Sequence, residues 1–173
     1  MGRTLVLTFI AEDRPGLVGR LSDTVAAQGG NWLESRMAHL AEKFAGIARV
    51  EIPDSKAQTL RDALLALEKE GFHLTVEEAV DKAPPPGQEF TLDLVGPDHP
   101  GILRDISQCL ARHGVSVEDL ETDIREAPMT ADLLFYATAR VRAPAGVDAD
   151  RLRDVLEAMA SALTVDVTLA ESN

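Results

Sequence analysis

The sequence predicts an α+β chain of two βαββαβ units in tandem, and three observations predict it. The stretch Asp13-Arg14-Pro15-Gly16-Leu17-Val18-Gly19-Arg20-Leu21-Ser22 recurs 85 residues on as Asp98-His99-Pro100-Gly101-Ile102-Leu103-Arg104-Asp105-Ile106-Ser107. Each copy follows a short apolar run and opens an apolar pattern of helical period that stops on a glycine, Gly29 or Gly114. After each copy the same succession of strand, strand, helix and strand patterns returns. A period this long is a duplicated domain rather than a solenoid repeat of roughly 20–50 residues. The 173 residues therefore divide into a first domain over 1–80, a linker over 81–88 and a second domain over 89–173.

In the first domain, residues 4–11 alternate, with Leu5, Leu7 and Phe9 on one side and Val6, Thr8 and Ile10 on the other. Apolar residues on both faces predict an inner strand covered on both sides. Pro15 suits the first helical position, where its missing N–H has no partner to lose. Leu17, Val18, Leu21 and Val25 then form an apolar stripe, and Gly29-Gly30 stops the helix. Residues 31–40 and 44–52 read as two strands joined by a turn near Glu42-Lys43. Residues 55–71 form a helix with Leu60, Ala63, Leu64 and Leu67 inward, and Phe72, Leu74 and Val76 alternate in a closing strand.

The linker, Asp-Lys-Ala-Pro-Pro-Pro-Gly-Gln, holds three prolines and predicts an extended, semi-rigid spacer. The second domain repeats the order. Strands are predicted over 90–95, 115–124, 131–141 and 165–169, and helices over 100–113 and 148–163, with residues 171–173 frayed. The βαββαβ order is the ferredoxin-like plan, a four-stranded antiparallel sheet with two helices on one face. The other face of each sheet is expected to be solvated or packed against another sheet. The apolar second face of the first strand favours packing, between the halves or between two chains.

Composition narrows the function. A net charge of −12, with Arg and Lys dispersed, works against sequence-independent nucleic-acid binding and against an anionic membrane surface. No apolar run nears the ~18 residues of a membrane span, and no signal peptide is visible, so a cytoplasmic protein is expected. Cys109, the one cysteine, reads as a buried structural thiol. His39, His73, His99 and His113 lack metal-ligand spacing, so neither a metal nor a cofactor is expected. The clusters Glu77-Glu78 and Glu118-Asp119-Glu121-Asp123 read as solvated faces rather than catalytic pairs. No nucleophile, phosphate-loop or metal motif appears, so no catalytic residue is assigned and no enzyme is expected.

The element order and the turns Asp13-Arg14-Pro15-Gly16-Leu17 and Asp98-His99-Pro100-Gly101-Ile102 together resemble the ACT domain, a small regulatory module that commonly binds amino acids. The resemblance covers nearly the whole chain. Two such units and nothing more are similar to the glycine cleavage system transcriptional repressor family. That likeness implies a small amino-acid ligand, with glycine as the signal, and control of transcription through a protein partner such as a transcriptional activator. It implies no direct contact with nucleic acid. It also implies a homodimer or larger assembly through sheet or helix packing. ACT units accompany amino-acid and folate enzymes too, including formyltetrahydrofolate deformylases with a similar N-terminal turn, so a regulatory piece of such an enzyme is a second reading.

The turn suits a zwitterion. A helix N-terminus attracts a carboxylate, Gly16 and Gly101 leave the backbone bare, and Asp13 and Asp98 can face an ammonium group. Arg14 and His99 hold the variable position of each turn; His99 could cap the helix or touch a carboxylate, and a surface role is expected for Arg14. The resemblance adds the start of the second strand, Asn31 in the first domain and Ser116 in the second. The same residues also suit a turn that serves only to leave a strand and start a helix. On that reading the chain is a dimerisation module without a ligand. Trp32 could line a site or an interface, and packing is its ordinary use.

Overall fold

The computed structural model describes residues 2–80, 83, 85–130 and 132–172. The chain divides into two compact units, Met1–Ala83 and Pro84–Asn173, called domains 1 and 2. Domain 1 runs β1 (Gly2–Glu12), α1 (Leu17–Ala27), β2 (Asn31–Leu40), β3 (Lys43–Pro53), α2 (Ala57–Leu65) and β4 (His73–Glu78). Short 3-10 turns, Asp54–Lys56 and Ala66–Glu70, lead into and out of α2. Domain 2 runs β5 (Gly87–Pro97), α3 (Ile102–Arg112), β6 (Ser116–Glu126), β7 (Leu133–Pro144), α4 (Ala149–Leu163) and β8 (Asp166–Glu171). Each domain holds one antiparallel sheet, in the orders β2-β3-β1-β4 and β6-β7-β5-β8.

β1 is the keel of domain 1. It pairs with β3 from Gly2↔Pro53 to Glu12↔Lys43, and with β4 from Leu5↔Glu78 to Ile10↔His73. Its odd-numbered residues Leu5, Leu7, Phe9 and Ala11 are buried against the helices. Leu17, Leu21 and Val25 of α1 and Leu60 and Leu64 of α2 meet them at helical spacing. Phe9 sits between Phe44 and Phe72, with ring centroids 5.8 and 6.3 Å away. β5 does the same in domain 2 through Phe90, Leu92 and Leu94, which pack with Ile106, Leu110, Leu152 and Leu156. Cys109 lies in this second core, and burial pushes its thiol up, which keeps it protonated.

Within domain 1 the other face of β1 is part apolar and part polar. Within domain 1, Ile10 is 42% exposed and its neighbour on that face, Ile47, is 47% exposed. Arg49 and Glu77, which pair with Val6, and His73, which pairs with Ile10, keep the surface polar enough to face water. In domain 2 the equivalent face is more polar still. Thr91 and Asp93 stand on β5, and Thr138 and Arg140 stand opposite them on β7. Two members of the predicted acidic cluster are tied down there. Glu118 bonds Arg142, itself 15% exposed, at 2.5 Å, and Asp123 bonds Arg125 at 2.7 Å.

Helices α1, α3 and α4 and the 3-10 turn that follows α2 stop the same way. In α1 the N–H of Gly29 donates to Ala26 O and that of Gly30 to Val25 O, the paired bonds of a Schellman motif. The same two bonds recur at Gly71 and Phe72, Gly114 and Val115, and Thr164 and Val165. The first residue of each pair needs positive φ, and Thr164 supplies 59° where the others use glycine. Among the described residues, only α4 has a side-chain N-cap, Asp148 Oδ1, accepting from the N–H groups of Asp150 and Arg151.

The observed elements depart from the predicted ones mainly at their ends. β5 already includes Gly87 and Gln88, which the sequence assigns to the linker; linker residues 81, 82 and 84 lie outside the described residues. The predicted strand start at Ala131 lies outside them too. Glu171 pairs with Phe90 and the Ser172 N–H donates to Glu89 O, so the predicted fraying at these two positions is corrected.

α1 is clamped to the end of α2 by Arg20, whose Nε and Nη2 donate to Glu70 Oε2 and Oε1 at 2.8 and 2.7 Å. This guanidinium holds the Glu70 carboxyl below the usual carboxylate range. The clamp therefore adds stability above the unfolded-state pKa of that glutamate and loses it as pH falls through the lower folded-state value. Thermal unfolding from pH 7 to pH 3 should show Glu70→Gln with a shallower acid-side decline than the wild type. Thr164→Gly should raise stability by about 0.5–1 kcal/mol, read from the urea midpoint, because a branched residue is released from left-handed backbone.

Candidate functional site

The candidate site starts where β1 leaves the sheet. Asp13 donates its N–H to Glu42 O at 3.0 Å, the last tie to the sheet, and its domain 2 counterpart Asp98 bonds Leu133 O at 2.9 Å. Gly16 and Gly101 then adopt φ of 92° and 98° with ψ near zero, the third position of a type II turn, with Pro15 and Pro100 before them. This corrects the placement of Pro15. It belongs to the turn, and α1 begins at Leu17 because the residue at the corner is left-handed. A Cβ at Gly16 would meet nothing within 4 Å. The glycine is there for its backbone angle, which also leaves the approach to the helix open.

Neither α1 nor α3 has a side-chain cap. The N–H groups of Leu17, Val18 and Gly19 thus start a helix with no helical acceptor, and they carry the positive end of its dipole. Leu17 and Ile102 themselves are buried, so their side chains anchor the turn in the core and only their backbone faces outward. The Asp13 carboxylate is exposed, with His39 Nε2 at 3.6 Å. Two hollows flank Asp13 and Arg14. One, of about 280 Å³, reaches the first turn of α1 and the Phe44 ring. The other, of about 550 Å³, is lined with them by Ile10, Glu12, Lys43, Glu70 and His73.

The variable turn residue has a structural partner in both domains. Arg14 Nη2 donates to Glu70 O, one residue before the left-handed Gly71 that ends the α2 segment. His99 Nε2 lies 3.2 Å from Leu163 O, one residue before the left-handed Thr164 that ends α4. Different side chains thus tie each turn to the end of the second helical segment, and Arg14 does so from the exposed position expected for it. The carbonyl must accept, so His99 Nε2 carries a proton.

The remaining sequence candidates do not join these turns within their own domains. Asn31 pairs with Glu51, which pairs on its other side with Thr4. The Asp13 turn leaves β1 beyond Glu12, eight residues along, which is roughly 27 Å at 3.4 Å per residue. Ser116 is likewise in register with Arg142 and Glu89, eight residues from Pro97 at the second turn. Trp32 is partly buried against the domain 1 core. Residues that do reach the first turn were not singled out as ligands in the sequence. His39 and Phe44 come from the two ends of the β2–β3 hairpin, and Glu70, Gly71 and His73 come from the α2–β4 connection. A two-residue hairpin at Ala41 and Glu42, both at positive φ, puts residues 39–44 beside Asp13. Counting that register from the sequence would have found them.

A family model described as the ACT domain matches the chain twice, over residues 3–77 and 88–169. The glycine cleavage system transcriptional repressor of Escherichia coli (strain K12) is 26% identical over 164 residues, covering 92% of this chain and 85% of that protein. The protein of the same name from Shigella flexneri aligns to the same extent. A crystal structure of an unknown protein from Galdieria sulphuraria superposes with a TM-score of 0.85 at 27% identity, covering 100% of both chains. Another, described as a candidate glycine cleavage system transcriptional repressor, gives a TM-score of 0.76 at 18% identity, a likeness of fold, over 100% of this chain and 99% of the other. Matched across both domains, each built around its Asp-x-Pro-Gly turn, the chain belongs to the ACT domain family.

Proposed function

We propose that this is a non-enzymatic regulatory protein that binds a small amino acid at the first turn and passes the signal to a protein partner. The observation that carries the reading is the pairing of opposite half-sites around one hollow. The uncapped start of α1 suits an α-carboxylate, and the exposed Asp13 carboxylate suits an ammonium group. Asp98 with the start of α3 offers the same pair in domain 2. Glycine is the candidate ligand, in line with the name of the Escherichia coli relative. By the same analogy, control of glycine-cleavage or amino-acid metabolism genes would run through a transcriptional activator. The net charge of −12 supports a route that does not pass through direct DNA contact.

Binding can act on a partner only if the ligand prefers one arrangement of the protein over another. Arg14 supplies a physical link, since it joins the turn to the end of α2. Asn31 and Ser116, at the far ends of their own sheets, would serve the turn of a second copy, in a homodimer or larger assembly.

Thermal unfolding with added amino acids tests the reading. A ligand bound only by the folded state adds about 2.7 kcal/mol at a hundredfold excess over Kd. Glycine should raise the unfolding temperature of the wild type, and Asp13→Ala should abolish most of that rise. If no amino acid shifts it, the reading is wrong and the chain is an interaction module with unused turns.

A further inference from the structure

We infer that the outer edge of β6 in domain 2, with the groove beside α3, takes up an extended segment of a partner protein in which apolar and basic residues alternate. The inference rests on the reading that the chain acts through a protein partner, and it names the surface and the segment that surface fits. β6 is the end strand of its sheet and pairs only with β7 among the described residues. The Ile124 N–H donates to Asp123 Oδ1 at 2.8 Å, so it points out of the ladder. By the two-residue period of a strand, Leu120 and Thr122 turn their N–H and C=O groups to the same open edge. A strand laid along that edge would complete these bonds, the mode of recognition called β-augmentation.

Beside that edge, on the helix side of the sheet, runs a shallow apolar groove. Leu103 and Ile106 of α3, Val117 and Leu120 of β6, and Ala137 and Ala139 of β7 line it. Leu103, Val117 and Leu120 are exposed, and so is Ile124 further along the same face. Domain 1 shows how the fold closes this groove from within. Both domains break register at the same point of the end strand, which aligns Trp32 with Val117, Ser35 with Leu120 and Met37 with Thr122. Trp32 and Met37 pack against the domain 1 core. Domain 2 gives up both large side chains, yet it places leucine where domain 1 has serine. It thus presents more apolar surface with less of its own to cover it.

The other face of β6 sets the charge of the segment. Asp119, Glu121 and Asp123 stand there at alternate positions. Arg125 bonds Asp123 at 2.7 Å, Arg140 lies 3.8 Å from Asp119, and Glu121 has no ion pair among the described residues. Arg142, behind them on β7, is held by Glu89 and Glu118. Counting Glu89 and Glu118 with these three, five carboxylates stand against three guanidiniums, so the edge stays negative after its own pairs are made. Lysine or arginine at alternate positions of an added strand would gain cross-strand pairs there. A second copy of β6 would not, because antiparallel pairing centred on Glu121 or Thr122 sets Glu121 against Glu121 or Asp123 of the copy. Acids that served only to keep edges apart would not need Leu120 and Val117 exposed behind them.

The test is isothermal titration of the full chain with three peptides of about ten residues, the length of such a strand. One alternates valine and lysine, one alternates valine and glutamate, and one holds the valines and lysines in non-alternating order. The wild type is compared with Glu121→Lys and with Val117→Trp, which installs the domain 1 residue in the groove. Both positions are exposed, so unchanged thermal unfolding without peptide checks the fold, and Glu121→Lys carries the test alone if Val117→Trp fails that check. The wild type should bind the alternating lysine peptide about tenfold more tightly than either of the others, the return for a few cross-strand pairs. That peptide should slow hydrogen exchange at the amides of Leu120, Thr122 and Ile124. Glu121→Lys should narrow the preference for lysine over glutamate, and Val117→Trp should weaken binding of the lysine peptide. No binding of that peptide, equal binding of the non-alternating one, or unchanged exchange along β6 overturns the inference. A dimer in sedimentation that Val117→Trp splits gives the groove to a second copy and overturns it as well. The thermal response to glycine reads the first turn of domain 1 and is a separate result.

Discussion

A central strand that runs the length of its sheet must leave at one end and return across one face as a helix. The residue at that corner has to take φ near +90° within a few residues of the last sheet bond. Gly16 and Gly101 meet this condition, and much else in each domain follows from it. The corner fixes Leu17 and Ile102 in the core, starts the helix without a side-chain cap and leaves an acidic residue exposed just before it. A β-branched residue at the corner would strain the backbone. An N-capping serine or aspartate at the same place could cap the helix, but it would occupy the N–H groups that now face the hollow. The same atoms thus serve the fold and the candidate site.

The two domains vary that arrangement in an informative way. Each turn is tied to the end of the second helix, by Arg14 in one and His99 in the other. The contact is kept while its chemistry differs, which marks it as a requirement of the architecture. The ring of polar groups around the first turn is not kept. Lys43, Glu70 and His73 stand where domain 2 has Leu134, Leu163 and Asp166. Duplication supplies an internal comparison of this kind, in which one copy shows what the fold alone demands of a position.

Most of the fold was legible in the sequence, because its signals are local. Alternation in β1, helical spacing from Leu17 to Val25 and glycines at helix ends are read within about ten residues. The 85-residue offset carried the reading to the second domain without new assumptions. The turns were legible as candidate sites for the same reason. What the sequence did not yield were relations set by register. Asn31 follows the helix and lies close to the turn in sequence, but antiparallel pairing carries it to the opposite end of the sheet. His39 and Lys43 come to the turn by the same geometry.

The strand order has a consequence for how the chain is made. In each domain the keel strand is synthesised first, yet one of its two neighbours, β4 or β8, is synthesised last. Domain 1 can close its sheet only after residue 78 has left the ribosome, so β1 waits with one long edge unpaired through the production of everything between. The next strand to emerge, β5, has the same alternation and the same design as β1. A chain that paused there would hold two keels and one closing strand, and a stray pairing between β4 and β5 would leave β1 open. The prolines ahead of β5 have no N–H to give a neighbouring strand, so a stray ladder cannot run far back into them. The strand order thus places the closing strand of the first sheet next in sequence to the keel of the second.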